Sequence, residues 1–392
     1  MRYKTLSLLL AGLILLSGCA GNSVSSSESD STSSALESQS ESTPAYQPVY
    51  TYLNSDPEMV MATFKNADET IEITYDLYRL ILDTEELFNR NTAIRELTAI
   101  ETLKSDLAAL EIEIDEEAFS EMVTAQITAM MEMGYSDMLA QIIKYSDLTA
   151  EDIAAITKDI LRLQYLGELM YRHYEDEASK TYPKPEIPEG MSEEDEGYAE
   201  AFVALQEWEF IVVGEAEAML NEYQLSLIDR VADSDNDEFL AIIDGEAVAW
   251  DQEKQSYVNF YQISSRISNI LAIHEGEVML TELEKAGVEY DEALFEAEYS
   301  KYMAACQQAP EYMAEIDKCL KKLGATQDDY FQAFRSVYLF SFVEYDFSQM
   351  LMEQFNAMSA EDSNMPESIE HYFEEWYQEM LENREILNVS GK

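Results

Sequence analysis

The chain has 392 residues, 24 Lys+Arg against 79 Asp+Glu, and a formal net charge of −55. A field of that sign repels nucleic acid and anionic lipid surfaces, and it favours solubility and basic, unfolded polypeptides as partners. With only three cysteines and three histidines, the chain lacks CxxC and Cys/His spacings, so no structural zinc site or disulfide framework is expected.

Arg2 and Lys4 precede the apolar run Leu6 to Leu16, which is too short for an ordinary membrane span. "LSGC" then resembles a bacterial lipobox, with the small residues Ser17 and Gly18 before Cys19. The resemblance implies a signal peptide over 1–18, cleavage before Cys19 and a diacylglyceryl group on its thiol. Two or more acyl chains hold a protein stably at a membrane. Half of the positions from Asn22 to Thr43 are Ser. That stretch is too polar to bury a core, so 19–54 reads as a disordered tether.

Beyond the tether the pattern is helical, with two exceptions. "ATFKNADETIEIT" (Ala62 to Thr74) reads as two short strands around Ala67-Asp68. "FLAIIDGEAVAWD" (Phe239 to Asp251) repeats it, at an offset of 177, around Asp244-Gly245. Asp-Gly suits a type I′ turn, which needs positive φ at both central residues. Thr74 and Asp251 are the expected caps of the helices that follow. "LEIEIDEEAF" (Leu110 to Phe119) matches "AGVEYDEALF" (Ala286 to Phe295) at an offset of 176, with Asp115 and Asp291 as caps. "SDLTAEDIAAI" (Ser146 to Ile156) meets "LGATQDDYFQA" (Leu323 to Ala333) at 177, with Thr149 and Thr326 as caps. Pro188 and Pro366 each precede a long closing helix, Ser192 to about Val231 and Glu367 to about Leu387. The near-constant offset reads as an internal duplication, with a first module over 55–232 and a second over 233–392.

The order of hairpin, helix, "LEKAGVEYDEALF" and "LKKLGATQDDYFQAF" in the second copy, with "LAALEIEIDEEAF" and "SDLTAEDIAAI" in the first, resembles the N-terminal chaperone domain of SurA and PrsA-type foldases. That domain is related to the substrate-cradling part of trigger factor. The resemblance covers about Val60 to Leu387 and implies a mainly α fold with small β hairpins. It also implies two tandem helical modules, each closed by a long C-terminal helix. In PrsA-like proteins a parvulin isomerase sits before the closing helix. Here that place holds "TYPKPEIPEG" (Thr181 to Gly190) and "NAMSAEDSNMP" (Asn356 to Pro366). Such segments are too short to fold alone, so the resemblance implies client holding without prolyl isomerisation.

Other chemistry is thinly represented. "HEGEV" (His274 to Val278) lacks the second histidine of a zincin, and no GxSxG, P-loop or GxGxxG occurs. Asp233, Asp235 and Asp237 have calcium-loop spacing with Asp244 at position 12, but Glu238 stands where glycine is needed. Cys306 and Cys319 are either a disulfide pair or two small apolar core residues. Five methionines cluster between Met122 and Met138, and thioethers adapt to irregular apolar partners. Helix core packing is the plainer reading of the same cluster. Met130, Met131, Met133 and Tyr135 are the expected peptide-contacting residues; no catalytic residue, cofactor or metal is expected. The expected function is a lipid-anchored extracytoplasmic holdase for unfolded or secreted polypeptides. An adaptor lipoprotein for one envelope partner is the alternative, and an isomerase is a weaker one.

Overall fold

The computed structural model describes residues 56–66, 69–132, 140, 142–145, 148–185, 197–232, 239–358 and 366–389. Cys19, the tether, Met133, Tyr135, Pro188 and the acidic run 233–238 lie outside the described residues.

The fold is mainly helical, with small antiparallel strand pairs. The first hairpin is β1 (Val60–Asn66) and β2 (Glu69–Thr74), paired from Asn66↔Glu69 back to Val60↔Thr74 with a bulge near Val60. The second, β4 (Phe239–Ile243) and β5 (Glu246–Ala249), turns at Asp244 (φ 51°) and Gly245 (φ 84°). Both angles are positive, as a type I′ turn demands. Each hairpin feeds a 35-residue helix, α1 (Tyr75–Ala109) or α5 (Gln252–Ala286). Asp251 caps α5 by accepting from the Lys254 N–H at 2.8 Å. At α1 the expected cap differs: the Tyr75 and Asp76 N–H groups donate to the Met59 and Pro57 carbonyls, at 2.9 and 3.0 Å. The preceding backbone thus does what Thr74 was expected to do.

Both long helices end in the same way. The Glu111 N–H donates to Ala108 and the Ile112 N–H to Leu107; the Gly287 N–H donates to Glu284 and the Val288 N–H to Leu283. This is the Schellman pattern, which places one residue in the left-handed region. Glu111 (φ 59°) and Gly287 (φ 70°) occupy it. Asp115 then caps α2 (Glu116–Glu132) and Asp291 caps α6 (Glu292–Gln307), each accepting backbone N–H bonds at 3.0 Å. In the first repeat α3 (Ala150–Thr181) and α4 (Tyr198–Arg230) follow. In the second come α7 (Pro310–Leu323), α8 (Gln327–Ala357) and α9 (Ile369–Glu382). Thr326 starts α8 with a complete capping box to Asp329. The second closing helix is shorter than expected. It stops at Glu382, and the chain turns into β6 (Arg384–Ile386).

β6 and β3 (Val231–Ala232) show how the hairpins are completed. β3 follows α4 and pairs with β4; β6 follows α9 and pairs with β1. The sheet orders are β2-β1-β6 and β3-β4-β5. Each closing helix therefore delivers its strand to the hairpin of the other repeat. Two compact units result. The first draws on Ala93–Ser136 and Glu151–Tyr257, the second on Val49–Thr92, Asp137–Ala150 and Val258–Lys392. Sequence repeat and compact unit are thus different divisions of this chain.

In the first unit Ile100, Leu103 and Leu107 of α1 pack on Leu166 and Met170 of α3, with Leu220 and Tyr223 of α4 closing the cluster. In the second, Leu283 of α5 packs on Val343, Phe347 and Met350 of α8, closed by Tyr372, Phe373 and Trp376 of α9. A second cluster there includes Ile81, Ile316, Leu320, Tyr330 and Phe331. Cys306 and Cys319 are free thiols, half-buried and buried; Cys306 packs against that second cluster. No helix among the described residues is long and apolar enough to cross a membrane.

A tyrosine of each closing helix and an arginine seven residues on, Arg230 in α4 and Arg384 in β6, meet on one carboxylate of a long helix. Tyr223 donates to Asp106 at 2.7 Å, and Arg230 holds Asp106 in two bonds of 2.8 Å. Tyr377 donates to Glu275 at 2.6 Å and Arg384 at 3.3 Å. Arg230 also reaches Asp244 in the hairpin turn at 2.9 Å. These charge-assisted bonds fix each closing segment against a long helix, and Arg230 also ties α4 to the hairpin turn.

Candidate functional site

α4 is the helix whose apolar residues are least accounted for by packing. Its inner face carries Val212 and Ala216, both buried, with Leu220 and Tyr223 on the α1–α3 core. Trp208 faces the end of α3, its indole N–H donating to the Tyr182 carbonyl at 2.5 Å. On the outer face, Phe210 is 82 % exposed, and Phe202, Val203, Ile211 and Val213 are also exposed. At about 100° per residue, 203, 210 and 214 fall on one line, with 202 and 213 to one side and 211 to the other. At Gly214 an added Cβ would meet nothing within 4 Å, so the ridge has an open notch one turn beyond Phe210. Single exposed apolar residues are ordinary; several on one side of one helix are a mark of interaction surfaces.

Carboxylates interrupt and border these apolar side chains: Glu207 and Glu217 lie within the face, Glu209 and Glu215 at its edges. Glu207, Glu209, Glu215 and Glu217 are all exposed, and none of them has an ion pair among the described residues. No Lys or Arg occurs from Tyr198 to Asp229. On α4 itself the charged side chains of this face are therefore all carboxylates; Lys184, from the segment after α3, lies over the Trp208 ring at 5.1 Å.

A cleft of about 540 Å³ in the same unit brings Lys104, Lys158 and Arg162 together with Glu116, Asp159 and Glu253. Arg162 grips Glu116 through two bonds of 2.6 and 2.9 Å and lies 3.8 Å over the Phe119 ring. Burial and the neighbouring Glu253 push the Asp159 carboxyl up to about 6. Three cations face three acids, so the cleft has no surplus charge for an anion or a metal. Among the described residues no cluster of three metal-ligating side chains occurs.

Met130 and Met131 lie in the last turn of α2, where the backbone alone is described. The described part of the methionine run that packs is Met122, against Phe119, Val123 and Leu161. Sequence reasoning missed the α4 face. Its mean apolarity was visible, but helical periodicity does not say which side meets solvent. His274 is fully buried, with neither ring nitrogen hydrogen-bonded and Phe64 edge-on at 5.8 Å. Burial, followed by the Arg384 charge, lowers its pKa to about 4. It is thus a neutral core residue.

No family model matches the chain, and no curated protein or solved structure matches it.

Proposed function

We propose that this protein is a membrane-anchored extracytoplasmic chaperone that holds unfolded or translocated polypeptides without catalysis. The observation that carries this reading is the outer face of α4: a row of exposed apolar side chains, with Phe210 at its centre. Such a surface gains free energy by covering apolar client segments, and the high negative charge keeps the protein soluble while the row is uncovered. The lipobox at Cys19 supplies the anchor, and the serine-rich tether holds the body off the bilayer. α3 ends at Thr181 and α4 starts at Tyr198; α8 ends at Ala357 and α9 starts at Ile369. Neither connection has room for an isomerase domain, which supports a holding role.

The test is light scattering of a reduced, aggregating client with the protein added. Near-stoichiometric protein is expected to delay aggregation, and Phe210→Asp to abolish most of the delay. No delay, together with recovery of one dedicated envelope protein in pull-down, would replace this reading with an adaptor role.

A further inference from the structure

The rim of the α4 face carries information that the apolar row alone does not. We propose that this face selects basic amphipathic helices: segments with an apolar stripe flanked by Lys and Arg. The inference rests on the holding function proposed above and narrows its client class.

The geometry is that of helix-on-helix packing. Val203, Phe210 and the Gly214 notch run along about three turns of one helix face. A ridge broken by a missing side chain lets a second helix approach closely and seat a side chain in the gap. An apolar stripe spaced at i, i+3/i+4 and i+7 on the incoming helix matches that spacing. Charge then selects among such helices. Glu207 and Glu217 lie within the face, and Glu209 and Glu215 at its borders; all four are exposed and free of ion pairs among the described residues. A helix lying along that line with Lys or Arg beside its stripe forms complementary pairs with Glu207 and Glu217, and Glu209 and Glu215 add the same sign of field from the flanks. A helix bringing Glu or Asp meets like charges, which act as a barrier to wrong partners. The same argument disfavours a second copy of this chain as occupant, because its face would present the same carboxylates.

The experiment uses the full-length protein and two fluorescent peptides. They share one amphipathic leucine pattern; one has lysine on its polar face and the other glutamate. Anisotropy is expected to show the Leu/Lys peptide binding at least about tenfold more tightly at low salt, with the preference shrinking as salt screens the rim. Phe210→Asp, at a solvent-exposed position, should weaken Leu/Lys binding about tenfold or more with helicity unchanged. The double change Glu207→Lys with Glu217→Lys should shift the preference towards the Leu/Glu peptide. Equal binding of both peptides, with aggregation still suppressed, overturns the charge selection and leaves the holding function standing. Loss of both peptide binding and suppression removes the two together. A dimer that Phe210→Asp dissolves would show that a second copy covers the face, and would overturn the proposal.

Discussion

Leu107, Leu166 and Met170 in the first unit stand where the second has Leu283, Val343 and Phe347, at the offset that relates the two sequence repeats. Phe119 and Phe295, also equivalent, each lie under a guanidinium, that of Arg162 or Arg335. The closing helices differ much more. α4 runs 33 residues and leaves an apolar row exposed, whereas α9 runs 14 and turns Phe373, Trp376 and Met380 into the core. The two carboxylate clasps differ as well. Burial raises Asp106, but the bonds from Arg230 and Tyr223 outweigh it and hold the carboxyl below its ordinary range. At Glu275 burial wins over the Tyr377 and Arg384 bonds, and the carboxyl is raised. One unit thus leaves apolar side chains of its closing helix exposed, and the other buries its clasp carboxylate more deeply. The two clasps therefore respond to acid with opposite sign: the Asp106 clasp loses stability as pH falls, and the Glu275 clasp gains it.

The largest expected effect concerns His274. Its counterpart in the first repeat is Leu97, an ordinary buried leucine. The folded pKa of about 4 lies below the unfolded value of 6.5, so the unfolded chain takes up the proton first. Stability is full above pH 6.5 and is lost as pH falls towards 4. Arg384 from β6 faces the ring with its charge, and Phe64 of β1 packs on it, so neither accepts a proton from it. Glu275 on the same helix, raised by burial, titrates in the opposite sense. The difference between wild type and His274→Leu isolates the histidine. Denaturant melts should show the variant gaining, relative to wild type, on the order of 3 kcal/mol between about pH 7.5 and 4. A gap independent of pH would mean that the imidazole finds a proton acceptor in the fold.

Gly276 gives the next effect. Its counterpart at the same offset is Ala99, and Phe340 has as counterpart Leu163 of α3, which packs on the cluster of Ile100, Leu103 and Leu107. The larger ring in the second unit fills the place of a Cβ: one added at Gly276 would sit 2.0 Å from the Phe340 ring. Gly276→Ala should cost about 2–3 kcal/mol by overpacking. Adding Phe340→Leu, the first unit's side chain, should recover about half of that loss in a double-mutant cycle. Additive losses would break the equivalence between the two helix pairs.

The sequence disclosed the parts with local signals. Asp244-Gly245 reads as a type I′ turn because only a few residue types accept positive φ twice. Asp115, Asp291 and Thr326 read as caps because each needs only its own helix. β3 and β6 were invisible, being two and three residues long and too short for a period-two pattern. The exchange of hairpins between repeats was equally hidden, since pairing partners such as Val231 and Ile243 are chosen by tertiary contact and not by either segment alone. The exposed row on α4 failed for a related reason: Val203, Phe210 and Val212 have similar apolarity in sequence, and only packing shows that Val212 is buried while Phe210 is not.

The smallest effect compares the two Schellman ends. Glu111 (φ 59°) and Gly287 (φ 70°) hold the same left-handed position with the same pair of backbone bonds. A side chain there crowds Cβ against the following carbonyl, at roughly 1 kcal/mol, and glycine does not. Glycine also has more freedom to lose on folding, which offsets part of the gain. Glu111→Gly should therefore stabilise the first unit by somewhat under about 1 kcal/mol, and Gly287→Ala should destabilise the second by about 1 kcal/mol. Hydrogen exchange at the Ile112 and Val288 amides reads each end separately, because those N–H groups make the long closing bonds to Leu107 and Leu283. Opposite signs at the two amides would establish that the repeats share backbone geometry and differ in how well each sequence suits it. Matching signs would show that the Glu111 side chain makes a compensating contact that its backbone angle alone does not reveal.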